Sequence, residues 1–460
     1  MKNFINEDKI FDLLEEMQRH SRHRAEAIIS KSLNLKGLSP EEAAVLLNYE
    51  DEVVLNSIFS ASRQIKESIY GNRLVLFAPL YLSNRCVNDC LYCGFRQDQD
   101  ALNTEKRVLN KDEIREEAKA LISQGHKRLL LVSAEDPAVN IDYLEDAIKT
   151  IYDTKEGNGA IRRVNINVAP MGINDFRRLR NAGIGTYQLF QETYHRETYN
   201  QLHPSGPKSD YIKRLYACDL AQSAGIDDVG IGALFGLYNY KFEALALLFH
   251  AMHLEDEFGV GPHTISVPRL EPAQGSSIAS SPPYPVSDKE FKKIIAVLRL
   301  AVPYTGIILS TRENADLRDE LFYLGVSQIS AGSKTVPGSY SHDKKEQGQF
   351  SISDERSLSE VIEELATNGF IPSFRTSCYR SGRTGENFMD LAKPGNIKNF
   401  CHPNALLTFG EYLLDYNPKL AQKAKALISS EIRKIPDPKV REMTLRKMES
   451  LTNGKRDLFF

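Results

Sequence analysis

The amino-acid sequence predicts a parallel (β/α)8 barrel, with a helical extension before it and a helical appendage after it. Two observations carry this reading. Eight short apolar or β-branched runs recur along the middle of the chain, at 73–83, 127–134, 162–170, 186–193, 228–236, 263–270, 306–312 and 327–333. Helix-like stretches such as NKDEIREEAKALISQG and YKFEALALLFHAMHLEDEFG lie between them, several closed by glycine, the usual helix stop. Strands alternating with helices build a parallel sheet, and eight strands with seven or eight helices suggest closure. A doubly wound open sheet is the alternative, because sequence does not show closure.

Three regions follow. Residues 1–70 read as a helical extension, in which LSPEEAAVLLN offers Ser39 as an N-cap, Pro40 at the first helical position and acids in the first turn. Residues 71–351 hold the barrel. Residues 352–460 form a C-terminal domain that opens on the helix-like ERSLSEVIEELATNG. It continues through the Pro- and Gly-spaced segment around PNALLTFGEYLLDY and ends in a charged helical pair.

Composition narrows the function. Lys plus Arg (58) nearly balance Asp plus Glu (61), for a net charge of -3, so no basic footprint marks a nucleic-acid or membrane-surface partner. The start MKNFINEDKIFDLLEEMQRH has no signal-peptide apolar region, and no run is long enough to span a bilayer. A cytoplasmic location is expected, where cysteine clusters bind metal or do chemistry more often than they form disulfides.

NRCVNDCLYCGFR places Cys86, Cys90 and Cys93 in a CxxxCxxC pattern just after the first barrel strand. In a (β/α)8 protein that is the C-terminal face, where active sites sit. Three thiolates in one short loop can hold three irons of a [4Fe–4S] cubane and leave the fourth open. Structural zinc would want a fourth ligand nearby, and no Cys or His follows within thirty residues.

This loop resembles the signature of the radical S-adenosylmethionine (SAM) superfamily. The resemblance implies a [4Fe–4S] cluster whose open iron chelates SAM, with Tyr92 against the adenine. Glu135, in SAED after the second strand, is then placed for the SAM ammonium, although Ser133 and Ala134 stand where the superfamily usually has two glycines. Glu192 and Arg196, in QETYHRETY after the fourth strand, are the further SAM contacts expected. Taken singly, each of these charges reads as an ordinary ion-paired residue; their recurrence at strand ends argues for the site.

The motifs RRVNINVAPMG, YQLFQETYH, LHPSGPKSDY, GPHTISVPRLEPAQGS and GIILSTRENADLRDELFYLGVSQISAGSKTVPGSY are more specific. They resemble the tyrosine lyases that mature [FeFe]-hydrogenase, relatives of the thiamine-pathway lyase that makes 2-iminoacetate. The resemblance implies cleavage of the Cα–Cβ bond of L-tyrosine to p-cresol and dehydroglycine. It also implies a reductant such as flavodoxin or ferredoxin, and other hydrogenase maturases as partners. A dehydroglycine synthase for thiamine or another pathway is one alternative, and a non-catalytic iron–sulfur scaffold is another. The substrate carboxylate needs a clamp. Arg312 ends the seventh strand in ILSTRE, with Ser310 two residues earlier on the same side, and a guanidinium fork suits a carboxylate. Arg269 is the competing candidate, and a strand-end ion pair the plain alternative.

A second site is expected at the opposite mouth. His263 opens the sixth strand, and in the resembled maturases a histidine at this motif position serves an auxiliary cluster. That cluster is held by a CxxC followed, after twenty-two residues, by a third cysteine. Cys378 and Cys401 match the second and third positions, but the first is Arg375, which has no lone pair for a metal. His402 is a conceivable substitute ligand. An altered cluster, something smaller, or a relic in which Arg375 pairs with an acid or an anion all stay open, and formation of carbon monoxide and cyanide is in doubt. The sixth cysteine, Cys218, reads as a small buried hydrophobe.

Overall fold

The structure is a computed structural model that describes residues 2–18, 20–97, 105–342 and 348–460. Eight parallel strands run in order around a closed barrel: Arg73–Ser83, Arg128–Ser133, Arg163–Asn167, Tyr187–Gln188, Val229–Gly232, Thr264–Ser266, Gly306–Leu309 and Gln328–Ser330. Closure comes from the long first strand, whose Val75–Phe77 pair with Gln328–Ser330. The open-sheet alternative is therefore excluded.

Alternation along the strands sorts their side chains. Leu129 and Leu131 face the helical shell and are fully buried, whereas Leu130 and Val132 point into the barrel. Inside, Phe77, Leu130 and Ile308 form a small apolar layer of their own, apart from the main core between strands and helices. The shell helices begin where the sequence supplies caps. Asn110 with Glu113 and Ser287 with Glu290 complete reciprocal capping boxes at the helices Lys111–Ser123 and Asp288–Ala301.

Four helices precede the barrel, and the last, Glu52–Tyr70, packs on Asp288–Ala301. Ser39 caps Pro40–Asn48 with a full capping box to Glu42. After the eighth strand comes the helix Leu358–Thr367, then a short strand, Ile371–Ser373, that the sequence analysis did not anticipate. It pairs with the lower end of the first strand, Arg73–Val75, while the upper end, from Ala78, pairs with the second strand. Three residues with a proline among them leave no periodicity to read. The strand carries the tail beneath the N-terminal mouth of the barrel, where the long helix Lys398–Asp415 packs against it.

Candidate active site

The loop after the first strand bends back over the C-terminal mouth. Cys90 and Tyr92 bury themselves in a local apolar cluster with Leu202, Leu234, Leu237 and Leu270, which fixes the loop independently of any ligand. Cys86 and Cys93 remain partly exposed. Backbone N–H groups are already aimed at sulfur: Asn88 donates to Cys86 Sγ at 3.4 Å and Phe95 donates to Cys93 Sγ at 3.4 Å. The side-chain amide of Gln349 adds a donor to Cys93 at 3.8 Å. Such donors stabilise thiolates and tune a cluster.

Burial pushes the Cys90 thiol up to about 12 and raises that of Cys93 as well. A metal must therefore displace protons to bind here. Among the described residues, no three His, Cys, Asp or Glu side chains converge as for a single ion. A cubane differs, since each of its corners takes one thiolate. The donor set, three cysteines with N–H groups directed at two of them, fits a [4Fe–4S] cluster.

Below the loop lies a cavity of roughly 1100 Å³, counting its mouth, lined by Tyr92, Cys93, Glu192, Ser310 and Arg312 among others. Tyr92 is held by its hydroxyl, 2.8 Å from His203 Nε2. Glu192 sits in the left-handed backbone region at φ 72, unusual for a non-glycine residue and typical of sites where geometry is over-determined. Its carboxylate accepts from Lys208 Nζ at 2.7 Å and from Arg214 at 3.2 Å. Burial alone would raise its pKa; the two cations outweigh that and hold it below its usual value. Glu135 flanks the loop from the second strand, accepting from Asn88 Nδ2 at 2.7 Å.

Arg312 stands apart from the other cavity cations. Its guanidinium stacks on the Phe350 ring, 3.3 Å from the centroid, and makes no ion pair among the described residues. Its backbone N–H donates to Ser310 Oγ at 3.3 Å, which ties the two residues together. Burial lowers its pKa, the mark of a desolvated cation without a bonded carboxylate. Arg269 is the reverse case. Its fork is spent on Glu313 and Asp288, and it does not line the cavity.

The radical SAM superfamily matches residues 80–249, and the biotin and thiamin synthesis associated domain matches 266–371. A crystal structure of HydG, a maturase of the [FeFe]-hydrogenase, superposes at a TM-score of 0.96 with 53% identity over 100% of both chains. The chain belongs to the HydG family. HydG from Carboxydothermus hydrogenoformans aligns at 42% identity and a TM-score of 0.84, over 96% of this chain and 97% of that one. The 2-iminoacetate synthase of Salmonella typhimurium is 32% identical over 76% of this chain and 90% of its own. As in its superfamily, the cofactors are a [4Fe–4S] cluster and SAM.

The structure departs from the sequence expectations at three places. Arg196 is exposed at the start of the helix Arg196–Leu202, where its backbone N–H donates to Glu7, and it does not reach the cavity. The cations that do meet Glu192 are Lys208 and Arg214, which sequence reasoning missed. Lys208 lies in LHPSGPKSDY, a motif from which no single residue's role could be read. At the opposite mouth, Cys378 and Cys401 lie 3.2 Å apart, Sγ to Sγ. His263 is there too, fully buried at the foot of the sixth strand, but Arg375 Nη1 lies 2.5 Å from its Nε2 and occupies the lone pair a metal would need. His402 turns away to Glu431. Two thiols in mutual contact, with the nearby imidazole blocked by a guanidinium, do not fit a second iron–sulfur cluster.

Proposed function

We propose that this chain is a radical SAM tyrosine lyase of hydrogenase maturation, cleaving the Cα–Cβ bond of L-tyrosine to p-cresol and dehydroglycine. The observation that carries the reading is the guanidinium of Arg312, unpaired among the described residues and stacked on Phe350 in the same cavity as Cys93 and Tyr92.

Cys86, Cys90 and Cys93 would hold the cluster, and Tyr92, Glu135 and Glu192 would contact SAM. When bound, the cluster and SAM supply a 5′-deoxyadenosyl radical able to remove a hydrogen from the tyrosine amino group. The protein's part is placement. Arg312 offers a planar fork to the substrate carboxylate, and Ser310 a hydroxyl beside it. Stacking fixes the plane of the fork without spending its N–H donors. Lys208 and Arg214 keep Glu192 ionised and in one rotamer. The apolar layer of Phe77, Leu130 and Ile308 floors the cavity and keeps water from a reactive centre.

A second reading, a dehydroglycine (2-iminoacetate) synthase for another pathway, draws on one specific observation. Arg375 replaces a cluster ligand, and without that cluster the reaction stops at dehydroglycine. The test is a product assay on anaerobically reconstituted protein with SAM, a reductant and L-tyrosine, quantifying p-cresol, carbon monoxide and cyanide from one vial. p-Cresol is the expected product, with little carbon monoxide or cyanide. Deoxyadenosine without p-cresol would sink the tyrosine assignment, and no deoxyadenosine at all would favour a scaffold.

A further inference from the structure

The N-terminal mouth of the barrel concentrates positive charge in a way neither the fold nor the proposed reaction requires. Arg73, Arg128 and Arg163 are the first residues of the first three strands, and Arg128 and Arg163 stand in register on neighbouring strands. Even spacing along each strand turns these two inward, beneath Leu130 and Asn165. Arg375 follows the tail strand that passes under this mouth, its backbone in the left-handed region at φ 45. All four side chains are at least 95% buried.

The partners available do not balance them. Arg128 donates once, to Gln328 at 2.9 Å, and Arg163 donates to Asn165, Thr186 and Asp228. Arg375 donates to His263 Nε2 and lies over the Phe388 ring. Among the described residues, Arg73 Nε, Arg128 Nε and Nη1, Arg163 Nη1 and Arg375 Nε and Nη2 have no hydrogen-bond partner. His263 cannot add a charge. Its Nε2 accepts from Arg375, burial and the neighbouring arginines outweigh Asp228, and its pKa falls to about 4. The negative groups facing the arginines are Asp228 and the Cys378–Cys401 pair, where Cys401 and Arg375 favour the Cys378 thiolate. At least one positive charge is left over, in a place where each unmet N–H is costly.

We propose that this mouth, where the related maturases' motif would build an auxiliary cluster, is instead a receptor for a compact anion, of halide or one-carbon carboxylate size. Arg375 completes it: the residue that removes a thiolate ligand supplies the converging guanidinium. Arg128, Arg163 and Arg375 donate to the anion through the nitrogens that now lack partners, and the near-complete burial of these side chains favours a compact anion over a bulky one. The inference does not depend on the reaction proposed above, because its readout is binding at the other end of the barrel.

The test is thermal unfolding of the cluster-loaded protein in rising sodium bromide or sodium formate, with ionic strength held constant by bulky gluconate. A ligand of the folded state raises the melting temperature saturably. Wild type is expected to gain several degrees in both salts. Arg375→Met is expected to melt higher than wild type in gluconate, having lost an uncompensated charge, and to ignore bromide and formate. A structural arginine would give the opposite order in gluconate. Equal responses in the two proteins, or no saturable response in wild type, would overturn the proposal. Should Arg375→Met not fold, anomalous diffraction from bromide-soaked wild-type crystals decides: a peak within reach of Arg128, Arg163 and Arg375 supports the receptor, and its absence refutes it.

Discussion

Arg312 lies with its guanidinium 3.3 Å from the centroid of the Phe350 ring and, among the described residues, without a bonded carboxylate, in the lining of the cavity that Cys93 shares. Two neighbouring arginines are spoken for, Arg269 by Glu313 and Arg214, on a short helix, by Glu192 and the Phe190 carbonyl. A stacked cation with a planar fork, unpaired among the described residues, has what the proposed carboxylate clamp needs. Arg312→Lys keeps the charge and loses both the fork and the stack. A charge-assisted hydrogen bond contributes about 1.5–3 kcal/mol, so kcat/KM for p-cresol formation should fall roughly 10- to 100-fold. Tyrosine-independent deoxyadenosine release should stay near wild type. Equal loss of both would show that Arg312 serves SAM rather than tyrosine.

Glu192 and Arg196 separate two meanings of a charged strand end. Glu192 is cornered by Lys208 and Arg214 in a strained backbone conformation, whereas Arg196 faces solvent. Glu192→Gln leaves two cations facing a neutral amide and should weaken SAM binding about 10-fold or more, the worth of roughly one charged hydrogen bond. Arg196→Ala should leave it within about 2-fold, as for an exposed side chain with no ligand. Equilibrium binding of SAM to the reduced, cluster-loaded variants measures both. A reversal of that order would return Arg196 to the site.

The barrel was legible because its strands and helices alternate in clear periods and several helices carry caps that the eye can find, such as Ser39 with Glu42. The cysteine loop was legible because three thiols within eight residues have few physical uses. What escaped was whatever depends on loops folding back. Lys208 and Arg214 sit far along the chain from Glu192, on segments after the fourth strand whose path no periodicity records. Arg196, expected with Glu192 after the fourth strand from the resemblance and the strand-end placement, opens a helix whose start carries it outward. At the other mouth, the replacement of a ligand by Arg375 was plain in the sequence. That its guanidinium would seal His263, and meet Arg128 and Arg163, required the tail strand Ile371–Ser373 to be seen in place.

Iron content distinguishes the two ends of the barrel directly. Anaerobic reconstitution should load about four irons per chain, one [4Fe–4S] cluster. Cys90→Ser should lose nearly all of it, since the loop then offers two thiolates. Cys378→Ser and Cys401→Ser should keep the wild-type count, because their thiols face one another and Arg375 rather than a cluster. Loss of a comparable share of iron in either tail variant, by metal analysis alongside the visible absorption, would restore an auxiliary cluster.

The tail is fastened to the barrel by Glu411, and that joint should set the acid limit of stability. Glu411, on the helix Lys398–Asp415, meets Lys127 at 2.7 Å and Arg162 at 2.6 Å, both from the segment that leads into the second and third strands. Burial pushes its pKa upward, but the two cations prevail and bring it down to about 2. A carboxylate depressed in the folded state contributes stability that is fully present above its unfolded value, near 4.5, and lost as pH falls toward 2. Glu411→Gln leaves Lys127 buried with no counter-charge and should cost about 3–5 kcal/mol at neutral pH. In urea titrations its stability should also fall less steeply than wild type between pH 4.5 and 2. Parallel curves for the two proteins across that window would mean that Glu411 is not the group whose protonation releases the tail.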